Sequence, residues 1–211
     1  MAFAWGRGLP ARDLVPGLIA MALFFTSSAT TPAVMPFETR TRTLERLLVA
    51  PVTIPTLICG DVLAAVLFGV VFSLVPTVIA VGIIRAPLTH PAFLIAGILL
   101  SALCFAIMGS LFSATPTDDP SSVMTISNLV RLPLIFISGI FVPIAAMSHW
   151  MQPVALLSPL TYTTEIIRAA FGQTVVVAPW LCLVVLAGFT IVLWVITTTA
   201  HRRNMPKRLV G

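Results

Sequence analysis

Five charged side chains, Glu38, Arg40, Arg42, Glu45 and Arg46, crowd into residues 38–46 of a 211-residue chain that has only twelve Lys and Arg and seven Asp and Glu. Glu38 and Arg42 are four apart with the acid first, the order that supports an ion pair along a helix. Leu44, Leu47 and Leu48 stand at i, i+3, i+4 and make one apolar face. Thr41 or Thr43 can cap the start, and Pro51 limits the end. The chemistry open to these residues is recognition. A helix over about 38–50 can lie in lipid headgroups, or set its leucines into a protein groove with the charges on the rim.

Catalytic chemistry is harder to assemble. A phosphate-cradling loop needs Gly-x-x-x-x-Gly-Lys-Ser/Thr. The one lysine, Lys207, follows Pro206 and has no glycine loop before it. ATP hydrolysis is therefore expected in a separate polypeptide, with no cofactor held by this chain. His90, His149 and His201 are single and lie outside the apolar runs, so no metal spacing forms and Ser110 has no histidine to activate it as a nucleophile. Cys59, Cys104 and Cys182 are far apart, which excludes a Cys-x-x-Cys site, and they read as small apolar side chains.

Two charged features remain. Arg131 falls about eight residues, roughly 12 Å, inside an apolar run. An arginine at depth costs roughly 2.5–3.5 kcal/mol on insertion scales and normally faces protein or water. It can snorkel or pair with Asp118 or Asp119, or it can line a path for a polar or anionic headgroup. Glu165 and Arg168, three apart, read as a local pair, with a gating role as the alternative.

Positioning these residues falls to apolar helices. The composition is 58% hydrophobic and 9% charged, with mean hydropathy +1.07. Soluble domains carry about 25% charged residues, so too little charge is available to cover a water-facing surface. The expected fold is all-α and polytopic, a single membrane domain over 1–211. Five runs reach the ~20 residues a spanning helix needs: about 14–35, 56–84, 92–114, 123–142 and 178–200. Net charge is +5, but the basic residues sit in short segments beside the spans. There they report orientation, not a nucleic-acid face. Arg40, Arg42, Arg46, Arg202, Arg203, Lys207 and Arg208 fall on one side, against Arg7, Arg12, Arg85 and Arg168. The richer side, with the C-terminus, is expected in the cytoplasm.

The 143–177 connection is too apolar for an ordinary loop. "SPLTYTTEIIRAAFG" reads as one short helix with Ser158 as N-cap, Pro159 at its first position and Gly172 as its stop. With residues from about 144 onward it makes two short helices that dip into the outer leaflet or lie on it. Trp150 and Tyr162 suit interfacial depth.

Two stretches carry a family likeness. "PFETRTRTLERLLVAPVT" resembles the cytoplasmic segment of type-2 ABC permeases, the membrane subunits of drug-resistance and polysaccharide exporters in bacteria and archaea. "LPLIFISGIFVPIAAMSHWMQPVALLSPLTYTTEIIR" is similar to that family's later signature, with Ser138, Gly139, Pro143, Trp150, Pro159, Leu160, Thr161, Tyr162 and Arg168 at the matching places. Members usually have six spans; this chain resembles one that begins just before the second. Ser158 stands where many relatives have Asn.

The resemblance implies an exporter permease in the cytoplasmic membrane, paired with a second copy of itself and with two ATPase subunits that use ATP. It implies ATPase docking through Glu38, Arg42, Leu44, Glu45, Arg46, Leu47 and Leu48. It also implies a path or gate near Arg131, Ser138, Gly139, Pro143, Tyr162, Glu165 and Arg168. Drugs, lipids and lipid-linked glycans are the substrate classes implied. The rival reading is a non-transporting assembly or scaffold protein, or a truncated permease.

Overall fold

The computed structural model describes residues 11–32, 54–115, 119–141, 144 and 147–209, with side chains over 14–32, 55–115, 119–141, 144 and 147–204. Among them are seven α-helices: α1 (Ala11–Thr30), α2 (Ile54–Val78), α3 (Pro91–Ser113), α4 (Pro120–Ile137), α5 (Met151–Ala155), α6 (Pro159–Ala170) and α7 (Pro179–Leu209). A π-helical segment, Ile79–Ile83, extends α2. No strand occurs among the described residues. The fold is that of a polytopic helical membrane protein.

Four helices are long and apolar enough to cross a bilayer: Pro55–Ile83, Pro91–Ser113, Pro120–Ile137 and Pro179–Asn204. The fifth expected span appears as a shorter apolar stretch, Leu14–Thr30. It packs on α2, α3 and α6, while α3 is the central helix, touching α1, α2, α4, α6 and α7. Val15, Ile19, Leu23 and Phe24 of α1 are buried. Phe24 meets Phe105 of α3 edge to face, with ring centroids 4.9 Å apart. The arrangement suits ring quadrupoles, which favour edge-on contact.

The periphery has the opposite character. α2 leaves Leu63, Leu67, Phe68, Val71, Phe72 and Val75 exposed. In hydrocarbon such exposure costs nothing, since lipid tails are as apolar as leucine.

Chain direction alternates, so the bundle has two ends. One holds the end of α3, the start of α4 and the last turns of α7, where Asn204 Nδ2 donates to Ala114 O at 2.9 Å. The other holds the start of α3, the end of α4, α5, α6 and the start of α7.

Two boundaries and one side chain differ from expectation. α4 stops at Ile137 rather than near 142, because the chain turns through Gly139 at φ 80°. α7 continues to Leu209 rather than 200; basic residues in the last turns suit the negative end of the helix dipole. Cys59 is exposed, whereas Cys104 and Cys182 are buried.

Candidate functional site

Glu38, Arg42, Leu44, Glu45, Arg46, Leu47, Leu48 and Pro143 lie outside the described residues. The other expected site residues gather at two places, one at α6 and one between α4 and α1.

α6 begins and ends as its sequence directs, with one exception. Pro159 occupies the first turn, where its missing N–H costs no bond. At the other end Gly172 takes φ +67°, Gly172 N donates to Ala169 O at 3.1 Å and Gln173 N to Arg168 O at 3.0 Å. That pair of bonds is the Schellman closure, which needs a left-handed residue after the cap. Ser158 stands at the N-cap position but its Oγ makes no capping bond and is buried without a partner. The N–H it would cap, that of Thr161, is already taken by Ser158's own carbonyl at 3.2 Å.

Every residue of α6 is buried, including Thr161, Thr163, Thr164, Glu165 and Arg168. The helix therefore does not lie on a surface, as one expectation allowed. It is set into the bundle against α3 and α7. Buried polar groups must find partners, and these do. Thr163 Oγ1 meets Ser101 Oγ of α3 at 2.8 Å. Thr161 Oγ1 donates to Ala155 O at 2.5 Å and Tyr162 OH to Leu156 O at 2.7 Å. Tyr162 is thus turned inward, while Trp150 is 72% exposed.

Glu165 and Arg168 form the expected pair, with Nη1 and Oε1 3.4 Å apart. They also do more. Glu165 Oε2 accepts from Val176 N at 2.6 Å and Val177 N at 3.3 Å, on the chain leading into α7. Arg168 Nη2 donates to Gly139 O at 2.8 Å, just past α4. One ion pair therefore ties three chain segments together. Ser138 sits beside this knot, buried, its Oγ donating back to Ile135 O at 2.8 Å. Ala170 O adds a fourth segment by accepting from Thr89 N at 2.9 Å and His90 N at 3.0 Å.

Arg131 lies nearer the opposite end. It is 1% exposed and neither snorkels nor faces open space. Val123, Ser127, Arg131 and Ile135 form the one buried stripe of α4, at the spacing of successive helical turns. The guanidinium crosses to α1, where Nη2 donates to Ser28 O, and Nη1 donates to Asn128 Oδ1 at 3.3 Å. Its Cζ lies 6.0 Å from the Phe112 ring centroid, a cation–π approach. Nε is buried with no hydrogen-bond partner among the described residues.

Ser28 is the residue that sequence reasoning missed. The signal was Pro32, which removes the N–H that would otherwise close the last turn of α1.

At the start of α4, Asp119 Oδ2 accepts from Ser121 Oγ at 2.5 Å, Ser122 Oγ at 2.7 Å and Ser122 N at 3.1 Å. These bonds, Ser121's first, hold its carboxyl down to about 2.

The family model described as ABC-2 type transporter matches residues 2–172, from α1 through the Gly172 stop of α6. The chain belongs to that family. Among curated proteins it is similar to the inner membrane transport permease YadH of Escherichia coli K12. The identity is 28% over 160 residues, covering 75% of this chain and 61% of YadH. The YadH proteins of Escherichia coli O157:H7 and Shigella flexneri match to the same extent. The chain thus spans about three fifths of the length of the curated relatives it matches.

Proposed function

We propose that this chain is the membrane-spanning permease of an ABC exporter, multi-pass in the cytoplasmic membrane with its C-terminus inside. The family match over 2–172 carries the reading, and the likeness to an inner membrane transport permease supports it. Two copies of the chain pair, and each docks an ATPase subunit through the segment about 38–50. There Leu44, Leu47 and Leu48 enter a groove on the ATPase, while Glu38, Arg42, Glu45 and Arg46 fix register at its rim. ATP is bound and spent by the ATPase, and this chain holds no cofactor. Closure of the ATPases displaces the docked segment, and through it the helices on either side. The substrate is hydrophobic or amphipathic, of the drug, lipid or lipid-linked glycan class, and moves outward between the two copies. Ser138, Gly139, Pro143, Tyr162, Glu165 and Arg168 stand at the outer gate. The buried ion pair supports that role, because it lets α6 move only together with the end of α4.

Coexpression with a candidate P-loop ABC ATPase from the same genome tests the reading. The ATPase is expected to copurify with the wild-type chain. Replacing Leu47 and Leu48 with Asp is expected to abolish copurification and leave membrane insertion intact. Unchanged copurification of that variant would remove the docking assignment.

A further inference from the structure

We propose that Arg131 is the positioning residue that carries displacement of the end of α1 into α4. The inference rests on the permease reading and names the joint within it.

An α-helix leaves its last carbonyls without intrahelical partners. One remedy is the single bond of the αL cap, from the N–H of the second residue past the helix to the third-last helical carbonyl. In α1 that carbonyl belongs to Ser28, and the residue that should supply the N–H is Pro32. Proline has none. That bond is closed to α1, and Arg131 Nη2 of α4 donates to the carbonyl. A cation at this position also meets the negative end of the helix dipole.

The surroundings are shaped for this contact. α3 passes so close to Ser28 that a Cβ on Gly109 would stand 2.5 Å from Ser28 O and 2.4 Å from Thr31 Oγ1. Thr31 Oγ1 in turn donates to Ala106 O of α3 at 3.3 Å. Phe112 of α3 lies within cation–π range of the guanidinium. Three helices therefore meet at the Ser28 carbonyl.

Two further facts make the contact a joint and not only a brace. First, α4 is thinly packed; its buried residues are Val123, Ser127, Arg131 and Ile135. Arg131 is the long polar member of that stripe, so the position of α4 against α1 depends heavily on one side chain. Pro133 follows two residues later inside the helix, and a proline there removes the backbone bond to Leu129 O. α4 can thus flex between the Arg131 contact and the Gly139 carbonyl held by Arg168. Second, Nε of Arg131 is buried and unspent among the described residues. A guanidinium has five N–H donors in a fixed fork. A spare donor inside the bundle leaves room for a second arrangement in which a different carbonyl is taken. α1 leads directly into the segment assigned to ATPase docking, so motion there reaches Ser28 first and α4 through Arg131.

The test is electron spin distance measurement on the chain with its ATPase in lipid nanodiscs. Cys59, Cys104 and Cys182 are replaced by Ala, and labels are placed at the exposed positions Leu129 on α4 and Val195 on α7. Distances are compared without nucleotide and with ATP plus vanadate. The wild-type pair is expected to shift. Arg131→Gln is expected to lose the shift, and Arg131→Lys, which keeps a charged donor, to restore most of it. Pro32→Ala offers the complementary variant and keeps Arg131. It returns an N–H to α1, which can close on Ser28 O and release the guanidinium, so the shift is expected to shrink here too. If Arg131→Gln does not fold, Pro32→Ala decides the matter. A wild-type shift in both Arg131→Gln and Pro32→Ala overturns the joint. Failure of the ATPase to copurify with the wild-type chain instead overturns the permease reading beneath it.

Discussion

α6 and α2 invert the pattern of a water-soluble protein. α6 carries three threonines, a tyrosine, a glutamate and an arginine in twelve residues, and all of it is buried. α2 is mostly apolar and shows much of that surface to its surroundings. In water the second helix would seek the core and the first would stay outside. In a bilayer apolar exposure is free, and polar backbone and side chains must be satisfied within the protein. Burial therefore reports where hydrogen bonds are needed. In this fold the polar interior, and not the greasy exterior, marks the parts that hold the helices in register.

The widest separation between the two helices is expected at Arg168. Arg168→Ala leaves Glu165 buried without its cation and Gly139 O without its donor. Loss of one partner from a buried pair costs about 3–5 kcal/mol. The expected result is a large drop in unfolding midpoint in detergent. A drop no larger than that of a lipid-facing substitution would break the comparison. A matched pair sharpens it. Leu160 in α6 is fully buried and Leu67 in α2 is 64% exposed. Leu160→Ala is expected to cost about 2–5 kcal/mol, as core truncations do. Leu67→Ala is expected to stay within about 0.5 kcal/mol, as changes away from packed sites do. The same unfolding measurement reads both.

The smallest effect is expected at Asp119. Its folded value of about 2 lies below the ordinary aspartate value. The cap it forms is thus fully present above about pH 4 and is lost as pH falls toward 2. Faster amide exchange at Ser122 across that window, with α6 amides unchanged, is the expected signature.

How far the sequence reveals these features depends on whether the partner of each residue has a letter. The limits of α6 are legible because Pro159 and Gly172 act through their own backbones. The Glu165–Arg168 pair is legible because both members are side chains at helical spacing. The other bonds of that pair are not, since Val176 N, Val177 N and Gly139 O are main-chain groups that any residue could supply. Arg131 shows the same limit. Its charge and depth are evident, and Asp118 or Asp119 are the obvious acids, yet the structure gives it Ser28 O. Ser158 fails for a local reason, as the N–H it would cap is already occupied by its own carbonyl. The inward setting of α6 is hidden because hydropathy alone separates water from lipid and cannot separate lipid from protein interior.

The polar knot around α6 also bears on how the chain is made. A helix of twelve residues is about 18 Å long, well short of a bilayer core of about 30 Å. With an acid and an arginine aboard, it is ill suited to release into lipid on its own. Its partners at Thr89, Ser101 and Gly139 are all synthesised before it, and those at Val176 and Val177 follow immediately. During biogenesis α6 must therefore wait at the membrane surface until α3 and α4 are in place. It then enters the half-built bundle as α7 threads in behind it. Quality control that senses unpaired charge in the membrane would find this chain most vulnerable in that interval.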